Sequence, residues 1–179
     1  MMAAPKPRSL KARALQWLAQ REHSRLELSR KLMRAARAAH RARPPDLATA
    51  AKAAAEPFDA AAASRAVEDL LDWLQAHGFL AVDRFVESRV HARAPRYGNL
   101  RIQQELGQHA LELDDDARRA LDESEPARAR AVRARRFDRA PATAGERARQ
   151  ARFLAARGFS ADVIHRVLRE ASRGEAGDG

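Results

Sequence analysis

Apolar residues recur along this chain at helical spacing, and strand-like alternation is scarce. Leu10, Ala14, Trp17 and Leu18 fall at i, i+4, i+7 and i+8, one stripe of a helix. Ser24 with Glu27 three residues on has the capping-box pattern and predicts a second helix carrying Leu28, Leu32, Ala35 and Ala39. Residues 41–63 are rich in alanine and proline with few large apolar groups, so this stretch is expected to be a loop or mobile insert, with at most one weak helical turn. Ser64 is placed to cap a third helix with Val67, Leu70, Leu71 and Leu74 inward, stopped by Gly78, and Phe79 and Leu80 should fold back over its end. Asp83 opens a fourth helix through Phe85, Val86 and Val90, closed by Ala94-Pro95. Asn99 starts a fifth with Ile102, Leu106 and Ala110 on one side. The acidic run Asp114-Asp115-Asp116 suits the start of a sixth, and Pro126, allowed in a first turn, begins a seventh through Val132 to about Phe137. Thr143 and Glu146 repeat the capping box ahead of an eighth helix that stops at Gly158, and Ser160 caps a ninth with Val163, Ile164, Val167 and Leu168 inward.

Taken in threes, these helices repeat. Leu106–Ala110–Leu111 and Leu154–Gly158–Phe159 share one spacing, and Arg25-x-Glu27-Leu28-x-x-Lys31-Leu32 matches the run-up Arg101-Ile102-x-x-Glu105-Leu106. Ala36-Arg37 stands where the other two have their stop. A unit with so few core residues must lean on its neighbours. The expected fold is therefore all-α, three tandem three-helix repeats forming an elongated, curved array. Residues 10–80 form the first repeat, with the insert at 41–63; 81–124 form the second and 125–173 the third. Residues 1–9 and 174–179 are expected to be disordered tails.

Composition agrees with this and adds a charge. Of 34 basic residues only Lys6, Lys11, Lys31 and Lys52 are lysines, and the net charge is +10. A GC-rich genome accounts for arginine over lysine, but not for the excess of positive charge, which favours polyanionic or acidic partners. The distribution is uneven. Residues 1–45 carry twelve basic against two acidic groups, 111–126 two against seven, and 127–179 thirteen against six. Two basic ends around an acidic block suit a mixed protein–DNA surface better than DNA alone. The acidic block also has a local reason to exist at a helix start.

Two ridges stand out. Arg30, Lys31, Arg34, Arg37 and Arg41 recur every three or four residues beside the Leu28/Leu32 seam, as a solvated face or a binding ridge. Arg128, Arg130, Arg133, Arg135 and Arg136 crowd one short helix; such like-charge density destabilises an isolated helix and favours a binding role. Tyr97, the only tyrosine, sits in a short link flanked by Arg93, Arg96 and Arg101, as a corner residue or a contact. Catalytic chemistry has no foothold. There is no cysteine, no phosphate-cradling glycine loop and no pair of histidines at i, i+3 or i+4. No apolar run approaches the roughly 20 residues of a membrane span, and the amino-terminal segment lacks the apolar stretch of a signal peptide. The expectation is a cytoplasmic protein that is not an enzyme, with no cofactor, no metal and no membrane.

Four motifs in order resemble the RecX family of regulatory proteins. They are Ala14-Leu15-Gln16-Trp17-Leu18-Ala19-Gln20-Arg21-Glu22-His23-Ser24-Arg25; Leu74-x-x-x-Gly78-Phe79-Leu80-x-x-Asp83-Arg84-Phe85-Val86; Arg96-Tyr97-Gly98-x-x-Arg101-Ile102-x-x-Glu105-Leu106; and Phe153-Leu154-x-x-Arg157-Gly158-Phe159 with Val163-Ile164. The resemblance covers roughly residues 10–172, interrupted by the insert. It implies three three-helix repeats and a monomer that binds RecA and the RecA–DNA filament and curbs strand exchange, ATP turnover and coprotease activity in DNA repair and the SOS response. It brings no catalytic residues and points to Lys31, Arg89, Arg93, Arg96, Tyr97 and Arg101 as contacts. With the two ridges, the candidate partner- and DNA-binding set is Arg30, Lys31, Arg34, Arg89, Arg93, Arg96, Tyr97, Arg101, Arg133, Arg135, Arg136 and Arg152. Single- or double-stranded DNA is a further candidate partner. The competing class is a helical module that binds nucleic acid without reading sequence.

Overall fold

The local signals for starting and stopping helices explain most of the architecture. The structure is a computed structural model that describes residues 9–42 and 57–176. Among these residues there are eight helices and no strand: α1 (Leu10–Leu18), α2 (Arg25–Arg41), α3 (Ala60–Ala76), α4 (Val82–Arg93), α5 (Asn99–Gly107), α6 (Asp115–Ala134), α7 (Ala144–Ala155) and α8 (Ala161–Ala176). The chain divides into two compact units, Met1–Phe85 and Val86–Gly179.

Polar side chains close the helix starts. Ser9 accepts from the Ala12 N–H at 3.2 Å, Ser24 from Glu27 at 3.1 Å and Asp114 from Ala117 at 2.7 Å, each satisfying a donor that has no partner within its helix. Thr143 and Glu146 form a full capping box: Glu146 N–H donates to Thr143 Oγ1 at 3.2 Å, and Glu146 Oε2 accepts from Thr143 N–H at 3.1 Å. The Ser24–Glu27 pair makes only half of that box, because the Glu27 carboxylate turns to Arg21 and His23 instead.

Three helix ends share one device. After α3, α5 and α7 the chain enters the left-handed region at Gly78 (φ 71°), Ala110 (φ 56°) and Gly158 (φ 79°). The next N–H then reaches back five residues: Phe79 to Leu74 at 2.9 Å, Leu111 to Leu106 at 3.1 Å and Phe159 to Leu154 at 3.3 Å. An inner bond accompanies each, so all three are Schellman stops. Helix α2 has no such stop at Ala36-Arg37 and continues to Arg41.

Three expectations change. Helix α3 starts at Ala60, capped by Asp59 at 2.8 Å and not by Ser64, so the end of the presumed insert is helical; residues 43–56 of the insert lie outside the described residues. Helix α8 continues to Ala176, past the expected start of a tail at 174; residues 1–8 and 177–179 lie outside the described residues. The expected sixth and seventh helices are one, α6, with Pro126 inside it. The proline removes the donor for the Asp122 carbonyl and crowds the preceding turn. One residue earlier, the Leu121 carbonyl is taken by side chains, accepting from the Ser124 hydroxyl at 3.0 Å and the Arg128 guanidinium at 2.9 Å.

Each unit has its own core. In the first, Ala14, Leu28, Leu32, Val67, Leu71, Leu74 and Leu80 pack together, so α1 to α3 share one seam. Arg25 of α2 forks onto Glu68 (2.6 Å) and Asp72 (2.7 Å) of α3. These pairs are partly exposed and worth little beyond fixing register. In the second unit, Ala129, Val132, Leu154, Phe159, Val163, Ile164, Val167 and Leu168 join α6, α7 and α8.

Candidate partner-binding surface

The link between α4 and α5 organises the second unit's basic face. Gly98 has no room for a side chain: a Cβ there would fall on the Gly158 carbonyl and the Phe159 nitrogen. The two backbones are joined by Gly98 N–H to Arg157 O at 2.9 Å and Leu100 N–H to Gly158 O at 3.0 Å. This crossing brings the half-buried Tyr97, beside Gly98, to the end of α7, near Phe153 of its last turn and Arg157 of the turn that follows.

Two hollows flank Tyr97. The first, about 300 Å³, is lined by Arg89, Arg93 and Arg101 with Glu105 and His109. Its arginines are partly neutralised, since Glu105 accepts from Arg93 at 2.7 Å and lies 3.6 Å from Arg101. The same two guanidinium groups stand 5.8 and 5.6 Å from the centre of the Tyr97 ring. The second hollow, about 330 Å³, has Arg96, Arg135, Arg136 and Arg157 around Tyr97, Phe153, Pro95 and Val132. No carboxylate lines it. The Arg157 guanidinium lies over the Phe153 ring at 3.7 Å, and Arg135 donates to the Pro95 carbonyl at 3.2 Å.

The structure thus brings seven of the twelve candidates to these two hollows: Arg89, Arg93, Arg96, Tyr97, Arg101, Arg135 and Arg136. Phe153 and Arg157 join them, though they were expected only as family motif. Their i, i+4 spacing across the helix end was the available signal. Arg133 turns elsewhere: its Nε donates to Gln150 at 2.7 Å and its Nη2 to the Arg139 carbonyl. Arg152 is exposed on α7 and lines neither hollow.

The expected ridge of five arginines on one helix does not exist as a continuous feature. Arg130 pairs with Glu170 at 2.9 Å. Arg128 is structural: it donates to the carbonyls of Tyr97 (2.7 Å) and Leu121 (2.9 Å) and to Asn99 Oδ1. Burial pulls its guanidinium below the ordinary value, opposed by the nearby charges of Glu125 and Asp122. Glu125 itself is buried and closes two helix starts. Its Oε1 accepts from the Asn99 N–H at 2.9 Å and the Ser160 N–H at 3.3 Å, and its Oε2 from the Ser160 hydroxyl at 3.0 Å. The acidic block therefore supplies an internal carboxylate at this point.

In the first unit Arg30 and Arg34 are exposed on α2, and Lys31 between them is half-buried with its Nζ 4.4 Å from the centre of the Trp17 ring. Burial, then the charge of Arg21, lowers the Lys31 ammonium from its usual range. The ridge predicted from spacing is thus four exposed arginines, Arg30, Arg34, Arg37 and Arg41, beside a lysine packed on an indole. Among the described residues, no group of three His, Asp or Glu side chains is placed to hold a metal ion, and no helix is long and apolar enough to cross a membrane.

Comparison with known proteins places this geometry in a family. Residues 123–168 match the family model described as RecX, third three-helix domain. The regulatory protein RecX of Ralstonia nicotianae is 48% identical over 175 residues, covering 95% of this chain and 93% of the relative. That of Leptothrix cholodnii is 46% identical over 171 residues, 94% and 93% of the two chains. That of Herbaspirillum seropedicae is 45% identical over 167 residues, 92% and 90%. With such identity over nearly the full length of several relatives, the chain belongs to the RecX regulatory protein family.

Proposed function

We propose that this chain is a non-enzymatic, cytoplasmic regulator that binds RecA and its nucleoprotein filament and curbs recombinase, ATPase and coprotease activity in DNA repair and the SOS response. The observation that carries this is the basic face around Tyr97, where Arg96, Arg135, Arg136 and Arg157 surround a hollow with no carboxylate. Like charges gathered without counter-charge cost stability and are compensated when an anionic surface arrives. A filament offers two such surfaces, acidic protein and DNA phosphates. The chain acts as a monomer in this reading, needing no cofactor, and α2 with Arg30 and Arg34 provides a second, separate contact.

The test is RecA ATP hydrolysis on single-stranded DNA with the protein added at low salt. Inhibition near stoichiometric ratios is expected. Arg96→Glu with Arg136→Glu should weaken it by roughly tenfold or more, as removing two charge contacts of about 1 kcal/mol each would. Unchanged ATP turnover with the unaltered protein would sink this function. A second reading, direct nucleic-acid binding, is favoured by the aromatic rings inside the arginine cluster.

A further inference from the structure

We propose that the hollow between Tyr97, Phe153 and the arginines Arg96, Arg135, Arg136 and Arg157 is a subsite for one unpaired nucleotide of a single-stranded nucleic acid. This deepens the reading above: it rests on the second unit's basic face being a working surface, but not on the identity of the protein partner.

Charge is the first argument. Where other basic groups of this unit have partners, they are used: Arg93 and Arg101 share Glu105, Arg119 meets Asp116 and Arg130 meets Glu170. Among the described residues, Arg96, Arg135, Arg136 and Arg157 make no ion pair. Three of them contact backbone carbonyls and ring faces: Arg135 the Pro95 carbonyl, Arg136 the Phe137 ring, and Arg157 the Phe153 carbonyl and ring. Guanidinium forks left in this state match the oxygens of a phosphodiester, which they bind two at a time.

The apolar wall is the second. An acidic peptide would need only the charges, and its carboxylates gain nothing from Pro95, Val132 and Phe153. A nucleobase is planar and apolar on its faces, and stacks on aromatic rings or on guanidinium planes. Both surfaces are present, since Arg157 already lies over Phe153 at 3.7 Å and Tyr97 borders the same space. At about 330 Å³ the hollow is at the small end of ligand sites and has room for one nucleotide. A base in a duplex would first have to leave its stack, so the site selects single strands.

The experiment uses the full chain without any recombinase, so failure of RecA inhibition and failure of this subsite are read separately. Anisotropy of a labelled oligo(dT) is measured against a duplex of the same length, over a salt series. Single strands should bind more tightly than duplex. Arg96→Glu with Arg136→Glu, both exposed and outside the core, should weaken oligo(dT) binding about tenfold or more and lower the salt slope by roughly 1.4. Irradiation of an oligonucleotide carrying 5-iododeoxyuridine should cross-link to Tyr97 or Phe153, and Arg30→Glu with Arg34→Glu should leave that cross-link in place. Cross-links confined to other residues, duplex binding as tight as single-strand binding, or equal competition per charge by polyglutamate would each overturn the proposal.

Discussion

Ala110 is the one described non-glycine residue in the left-handed region, at φ 56°, in a stop where Gly78 and Gly158 do the same work without a Cβ. The methyl group there is strained by roughly 1 kcal/mol. Ala110→Gly should therefore stabilise the protein by about that amount, read as a higher Tm with oligonucleotide binding unchanged. His23 makes an opposite case. It is 1% exposed, and its Nδ1 lies 3.1 Å from Glu27 but outside hydrogen-bond geometry. Burial lowers it from 6.5, against the pull of the Glu27 charge. The unfolded chain then binds the extra proton first, so stability is full above pH 6.5 and falls as pH drops below it toward the lowered folded value. Denaturation at pH 7 and at more acid pH should show this loss, and His23→Leu should remove it. The stops at Gly78 and Gly158 were legible because glycine past a periodic run has few other uses. The burial of His23 was not, because a single histidine beside a cap residue carries no mark of what covers it.

Between elements, the decisive group is Glu125. Its carboxylate closes the starts of α5 and α8 from within α6, beside the buried guanidinium of Arg128. Glu125→Ala removes both closures and leaves that cation without its nearest buried counter-charge, at a cost of roughly 3 kcal/mol or more. Glu125→Gln, which keeps an acceptor, should cost less; urea unfolding of the two variants measures the difference. The crossing of the α4–α5 link with the end of α7 is as exacting. Gly98→Ala would drive a methyl into the Gly158 carbonyl and should destabilise by about 2 kcal/mol or more. Sequence pattern located the capped starts of α2, α6 and α7, but not the Ser9 cap of α1, which falls in the expected tail, nor that of α3, where Asp59 precedes the expected Ser64. It split α6 because proline inside a helix is ordinarily excluded. The side chains that serve the turn before Pro126, Ser124 and Arg128, make bonds that no hydrophobic spacing records.

Over the whole chain, charge patterning told where cations are plentiful but not which of them work outward. Arg128, Arg130 and Arg133 were counted as one ridge with Arg135 and Arg136, yet each is held by a partner within the unit. Arg157 is legible only as part of a family motif, because a basic residue ahead of a glycine stop reads as part of the helix end. The net charge of +10 still governs association at long range. Raising salt from about 50 to 200 mM should weaken filament and oligonucleotide binding together, with a slope of about 0.7 for each phosphate neutralised on a single strand. The aromatic residues are distributed with a further effect. Both tryptophans, Trp17 and Trp73, belong to the first unit, and Lys31 and Lys11 sit over their rings at 4.4 and 3.3 Å, while the sole tyrosine belongs to the second. Excitation at the red edge of the indole band consequently watches the first unit alone. An anion that draws Lys31 from Trp17 changes that emission, whereas one bound only at Tyr97 leaves it unchanged, so the molecule carries its own optical reporter of which unit is engaged.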